Sequence, residues 1–384
     1  MSLVVRVREY RSTKEAAADL ASFRLPRLPF STLLRGTVLI AEGDGSALDL
    51  VSQEARGLGG NTYYGTHSGR GALLAVLPGL SPLDLPAEGG LLVGCADRYF
   101  SDQDADIPMV HKVLGMGRPR VMGVLNVTPD SFSDGGRFLG PEDAFRRAES
   151  MVEEGADIID IGGESTRPGS LPISTEDELS RVMPVLRRIT GSLDTVVSVD
   201  TTKPEVAEAA VEAGADIIND VSGLRDGRMA RVAGDTGAAV VAMHMLGSPS
   251  DMQSNVTDSS YGDVVADVLW SLQLNLEAAE RAGVRREKVI IDPGIGFGKT
   301  MGHNLELIRR ARELRCLGPP VLIGASRKNF IGRITGARTD DRLGGSVGAA
   351  TAALLNGAKV VRVHDVRETV QAARVVEAVR KGTA

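Results

Sequence analysis

From residue 121 onward, apolar runs of strand length alternate with stretches whose apolar positions recur every three to four residues, the pattern of repeated βα units. Eight runs are predicted as strands, at 121–127, 157–161, 195–200, 216–219, 238–243, 288–292, 320–325 and 359–363. A helix-length stretch follows each. After the second run, Leu179, Val182, Val185, Leu186 and Ile189 form one stripe suited to covering the outside of a sheet. Glu-Ala-Gly-Ala-Asp at 212–216 echoes Glu-Glu-Gly-Ala-Asp at 153–157, each setting a glycine at a helix end just before a strand. Eight such pairs predict an α/β fold, a (β/α)8 TIM barrel over residues 121–384.

The first 110 residues follow another pattern. Strand-like runs at 4–7 and 37–40, helix-like stretches at 13–23 and 48–55, and apolar runs at 72–77 and 91–93 predict a small α+β N-terminal domain over residues 1–110, with no recognisable chemical motif. Its glycine-bearing stretch 57–65 is read as a turn-rich loop. Pro108, Gly115, Gly117 and Pro119 predict a linker over 111–120.

Composition mainly excludes. The chain of 384 residues exceeds a barrel of roughly 250 and leaves room for one smaller domain. A formal charge of -6 without a basic cluster argues against a nucleic-acid partner. Cys95 and Cys316 are too few for a disulfide framework or a zinc site, which suits a reducing compartment. Glu9, Glu15 and Asp19 interrupt any signal segment after Arg6 and Arg8, and no apolar run reaches the roughly 18 residues of a membrane helix. The expectation is a cytoplasmic protein that acts on small molecules, with no membrane partner.

In such a barrel the C-terminal strand ends and their loops build the site. Here every predicted strand ends in polar residues: Asn126, the loop 162–169, Asp200, Asn219 with Asp220, Met243 with His244, Asp292, Ser326 to Lys328, and Arg362 with His364. One Asp at a strand end is more often a helix cap than a catalytic group. Eight polar ends in phase are hard to explain by capping, and predict a lined site.

The strings LNVTPDSFSDGG at 125–136, GGESTRPG at 162–169, SVDT at 198–201, INDVSG at 218–223, HMLG at 244–247, DPGIGFGK at 292–299, SRKNF at 326–330 and RVHD at 362–365 resemble motifs of the dihydropteroate synthase family. The resemblance implies an enzyme of folate biosynthesis that joins 6-hydroxymethyl-7,8-dihydropterin pyrophosphate to p-aminobenzoate, giving 7,8-dihydropteroate and pyrophosphate. It implies that Asp200, Asn219, Asp292 and Lys328 read the pterin, beside Met243 and Gly296. Asn126, Thr166, Arg167, Arg362 and His364 would hold the pyrophosphate, with Asn126 a ligand to its Mg2+. Asp130, Phe132, Arg167, Pro168, Phe297, Ser326 and Lys328 would surround p-aminobenzoate, and Asp200, Lys328, Arg362 and His364 form the implied catalytic set. A homodimer and inhibition by sulfonamides are implied too.

The residue types suit these tasks: a pterin edge needs fixed acceptors and donors, pyrophosphate needs cationic donors, and Mg2+ takes oxygen ligands while sharing phosphates. The loops at 128–138 and 166–168 are expected to act as a lid. The alternative, structural reading of Asp292 is a salt bridge to Lys328, which an empty site would also allow. Two rival readings share the fold or the ligand: a methyltetrahydrofolate:corrinoid methyltransferase, which needs no pyrophosphate residues, and a pterin-binding scaffold without turnover. Gly298-Lys299-Thr300 lacks the spacing of a nucleotide loop, His303 is read as a helix-start residue, and His244 as structural or functional alike.

Overall fold

The computed structural model describes residues 3–10, 16, 23, 36–67, 69–78, 90–100, 118–128, 140–167, 169–248, 251–254 and 256–382. Most of the predicted helix at 13–23 and of the linker lies outside them. The chain divides into two compact units.

Unit 1 is built on an antiparallel sheet of β1 (Leu3–Arg8), β2 (Gly36–Gly43), β3 (Asn61–His67) and β4 (Arg70–Pro78), in the order β1-β2-β4-β3. Two helices accompany it, α1 (Gly45–Gly57) and α2 (Leu91–Phe100). The unbroken apolar run of β4 reflects burial of both faces. Leu73, Ala75 and Leu77 join Leu39, Val51 and Leu92 on one side, while Ala72, Leu74 and Val76 join Val38, Ile40 and Phe23 on the other.

Two local expectations are corrected. The stretch read as a turn-rich loop contains strand β3, whose β-branched and aromatic residues Thr62, Tyr63, Tyr64 and Thr66 pair along β4. Only Leu58 and Gly59 turn there, and a Cβ on the next residue, Gly60, would lie 2.9 Å from the Ala55 carbonyl oxygen. The apolar run at 91–93 opens α2.

Unit 1 also takes in Ser259–Leu274 and Arg310–Gly318, stretches that the contiguous division at 110 and 121 assigned to the barrel. Glu313 accepts hydrogen bonds from Arg6 Nη1 (2.8 Å), Arg8 Nη1 (3.1 Å) and Arg310 Nε (2.7 Å). Asp263 accepts from Arg6 Nη2 (3.2 Å) and Arg310 Nη1 (3.0 Å). Both cysteines are free and buried, and Cys316 shares an apolar cluster with Cys95.

Unit 2 is the barrel. Its strands are β5 (Arg120–Asn126), β6 (Ile158–Gly162), β7 (Val196–Asp200), β8 (Ile217–Asp220), β9 (Ala239–Met243), β10 (Val289–Asp292), β11 (Leu322–Ile323) and β12 (Val360–Val363). Parallel pairing runs β10-β9-β8-β7-β6-β5-β12-β11, and a single bridge between Ile291 and Val321 joins the two ends. The strand expected over 320–325 is thus only two residues long, although Pro320, which has no N–H, still accepts from Ile291 N at 3.0 Å. No helix among the described residues is long and apolar enough to cross a membrane.

Alternate residues of a strand share a face, so the barrel interior is layered. Met122, Ile158, Ile217, Val241, Ile290, Leu322 and Val360 form an apolar cluster. Two residues further along the chain stand Val124, Asp160, Asn219, Met243, Asp292 and Arg362 on the same strands, and Gly324 just past the end of β11. The repeated Gly-Ala-Asp corners make the same joint twice: Gly155 and Gly214 both take φ +99, and the carboxylates of Asp157 and Asp216 accept from Val121 N (2.9 Å) and Val197 N (3.0 Å) on the preceding strand.

Candidate active site

The polar layer is wired through Arg362 of β12. Its Nε donates to Asp160 Oδ2 of β6 at 2.6 Å, and its Nη2 to Asp200 Oδ2 of β7 at 2.7 Å. Asn219 of β8 donates Nδ2 to the same Asp160 oxygen at 3.1 Å. Asp160 Oδ1 and Asp200 Oδ1 are buried with no hydrogen-bond partner among the described residues. One guanidinium therefore faces two carboxylates that burial desolvates. Burial pushes Asp200 up to about 7; Arg362 opposes the shift, while Asp160, Glu178 and Asp220 add to it. Burial works against the charge on Arg362, but Asp160 and Asp200 more than offset it, so the guanidinium stays charged.

On β10, Asp292 Oδ1 accepts from Gly294 N at 2.7 Å. Gly294 has φ +70, and a Cβ there would lie 2.0 Å from the His244 carbonyl oxygen, which accounts for glycine in this Asp-Pro-Gly turn. Burial raises the Asp292 carboxyl even so. The alternative reading of Asp292, a salt bridge to Lys328, is not among the ion pairs of the described residues: Lys328 Nζ instead lies 4.1 Å from the Phe297 ring centroid. Burial, then Arg362, brings Lys328 down to about 8. Gly296 backs this lysine, since a Cβ there would stand 3.1 Å from Lys328 Cδ. Met243 packs with Phe297 in one apolar cluster.

At the rim, Ser326 Oγ lies 3.1 Å from His364 Nδ1 and accepts from His364 N at 3.2 Å. Burial and Arg362 hold His364 down at about 3. It offers hydrogen bonds, and the positive charge there belongs to Arg362. Asn126 Oδ1 and Asp200 Cβ flank Gly162, each 3.6 Å from where a Cβ would sit. Among the described residues no cluster of three His, Cys, Asp or Glu could hold a metal alone. Half-buried Thr166 and exposed Arg167 sit on the loop after β6, and the hydrogen bonds of Arg362 to described residues go to Asp160 and Asp200, not to them. Asp130, Phe132 and Pro168 lie outside the described residues.

Three interior residues escaped the sequence reading. Asp160 and Ser198 interrupt the apolar runs Ile-Ile-Asp-Ile and Val-Val-Ser-Val, a signal hidden by attention to strand ends. Lys299, set aside with the nucleotide motif, is buried; its Nζ donates to Phe297 O (2.9 Å) and lies 2.9 Å from His244 Nδ1. Burial brings Lys299 to about 7, and burial with Lys299 holds His244 well below its usual range. His303 does sit at a helix start, accepting from Thr300 N at 3.3 Å.

The pterin binding enzyme family matches residues 122–364. A dihydropteroate synthase of Escherichia coli (strain K12) is 46% identical over 265 residues, covering 69% of this chain and 93% of the relative. Among solved structures, the Xanthomonas albilineans dihydropteroate synthase with 4-aminobenzoic acid is 47% identical with a TM-score of 0.64, over 68% of this chain and 93% of that one. The Burkholderia cenocepacia enzyme complexed with 7,8-dihydropteroate is 43% identical with a TM-score of 0.62, over 69% and 92%. These matches cover the barrel's motifs in order, and the chain belongs to the pterin binding enzyme family, among its dihydropteroate synthases.

Proposed function

We propose that this protein condenses 6-hydroxymethyl-7,8-dihydropterin pyrophosphate with p-aminobenzoate to give 7,8-dihydropteroate and pyrophosphate. The observation that carries the reading is the unmatched carboxylate oxygen of Asp200 beside a charged Arg362. A buried acceptor without a donor is costly, and the N–H groups of a pterin would relieve it. Asp292 and Lys328 supply a further acceptor and donor, and Asn219 Oδ1 a third polar group. The solved relatives with 4-aminobenzoic acid and 7,8-dihydropteroate support the same pair of ligands.

In the reaction, the bond from the pterin methylene carbon to pyrophosphate oxygen breaks and its electron pair leaves with the pyrophosphate. The p-aminobenzoate nitrogen then bonds to that carbon and releases a proton. Arg362 stabilises the departing charge, and hydrogen bonds from His364 and Ser326 orient it. Ionised Asp200 favours positive charge on the pterin side. Phe297, with Lys328 over its ring, forms a wall for the arylamine. The side-chain oxygen of Asn126 makes no hydrogen bond to a described residue and fits one ligand position of a Mg2+ shared with the pyrophosphate, not a stand-alone site. When bound, the ion would neutralise phosphate charge. The uncharged helix Leu343–Leu355, with Leu343 and Leu355 exposed, supports a homodimer, which sedimentation would test.

The deciding experiment supplies both substrates with Mg2+ and measures pyrophosphate and dihydropteroate. Stoichiometric release that a sulfonamide suppresses and a chelator abolishes is expected. No release above background overturns the reading.

A further inference from the structure

We infer that Asp160 is a positioning residue that fixes Asn219 and Arg362 through one shared oxygen; this rests on the proposed function. Asp160 Oδ2 accepts at once from Asn219 Nδ2 (3.1 Å) and Arg362 Nε (2.6 Å). A carboxylate oxygen can only accept from an amide, so it selects the amide orientation in which Asn219 Nδ2 faces it. Asn219 Oδ1 accepts no hydrogen bond from a described residue and remains the atom available to a ligand N–H. The same oxygen holds the Nε side of the Arg362 fork, leaving Nη2 for Asp200. The side chain is fully buried in the middle of β6, between Ile159 and Ile161, where a charge is retained only with strong partners.

This arrangement makes the pterin-reading residues and the pyrophosphate-reading arginine one mechanical unit. Removing the Asp160 charge while keeping its shape frees the amide to rotate and loosens the guanidinium, without touching the p-aminobenzoate wall at Phe297. A purely structural role would disturb both substrates alike.

The test uses Asp160→Asn in the full chain. Binding of 6-hydroxymethyl-7,8-dihydropterin, measured by calorimetry, should weaken about ten- to hundredfold, and KM for its pyrophosphate should rise in step. KM for p-aminobenzoate should stay within about twofold. In an Asn219→Ala background, Asp160→Asn should cost less than in the native chain, since the residue it positions is already gone. Pterin binding equal to the native protein's, or losses that multiply in the double variant, would overturn the inference. Arg362→Lys reads the link from the other side, even if Asp160→Asn folds poorly. Lysine keeps the charge but cannot form the fork, so pterin affinity should fall, and preserved affinity overturns the inference. Native protein that binds the pterin yet forms no dihydropteroate would sink the proposed reaction and leave the positioning test readable.

Discussion

Each compact unit buries an ionic cluster, and the two differ in how the carboxylates are matched. In unit 1, both oxygens of Glu313 and of Asp263 accept from arginines, and Arg6 Nε, buried with no hydrogen-bond partner among the described residues, is a donor. Burial would raise these carboxyls, but Arg310 and Arg6 overcome it, holding Glu313 at about 2 and Asp263 lower still. In the barrel, one arginine serves Asp160 and Asp200, acceptor oxygens are left over, and Asp200 rises to about 7. Matched charges are the mark of a structural network, while an excess of desolvated acceptors marks a place prepared for donors that arrive from outside.

The comparison can be broken most sharply at Arg362. Arg362→Ala should lower product formation about 10²- to 10³-fold in steady-state assays, as the leaving-group charge loses its partner. Loss of less than about tenfold would mean the barrel cluster is structural after all. Next, Glu313→Gln should destabilise by about 3–5 kcal/mol in denaturant unfolding, because it leaves Arg6, Arg8 and Arg310 short of their anion. Turnover per folded molecule should not change; a fall in kcat with stability intact would give unit 1 a catalytic role.

A pH series then sharpens the contrast, because the two clusters act with opposite sign. Glu313, lowered from 4.5 to about 2, contributes stability that is present above pH 4.5 and lost as pH falls through about 2. Asp200, raised from 3.8 to about 7, contributes stability that is present below pH 3.8 and lost as pH rises through about 7. Unfolding free energy of the ligand-free protein should therefore fall on acidification below pH 4.5 and fall again as pH rises from about 4.5 through about 7. Asp200→Asn should abolish the second slope alone. The smallest effect serves as a control: Arg228 is exposed with its partners Glu205 and Asp226, and Arg228→Ala should shift stability by no more than ~0.5 kcal/mol.

The barrel was legible because its period is local. Each strand's polar residues follow its apolar ones in sequence, and the start of each strand came within about two residues of its observed place in the parallel sheet. Asp160 was not legible, since its value lies in partners on β8 and β12, 59 and 202 residues away. The same holds for unit 1: nothing near Asp263 or Glu313 announces that Arg6 will be their partner, 257 and 307 residues distant. Strand β3 was hidden by two glycines that stand just before it. Local pattern identifies elements; long-range charge matching needs the fold.

The Gly-Ala-Asp corners carry a consequence for how the enzyme could fail. Side chains alternate along a strand, so a slide of one residue between β5 and β6 would turn Asp160 outward and present Ile159 or Ile161 to Arg362. The carboxylates of Asp157 and Asp216 grip the amides of Val121 and Val197, the second residues of the neighbouring strands, and act as alignment pins against that slide. Errors at these distant corners would then surface as lost pterin recognition, in a molecule whose hydrophobic barrel had otherwise closed.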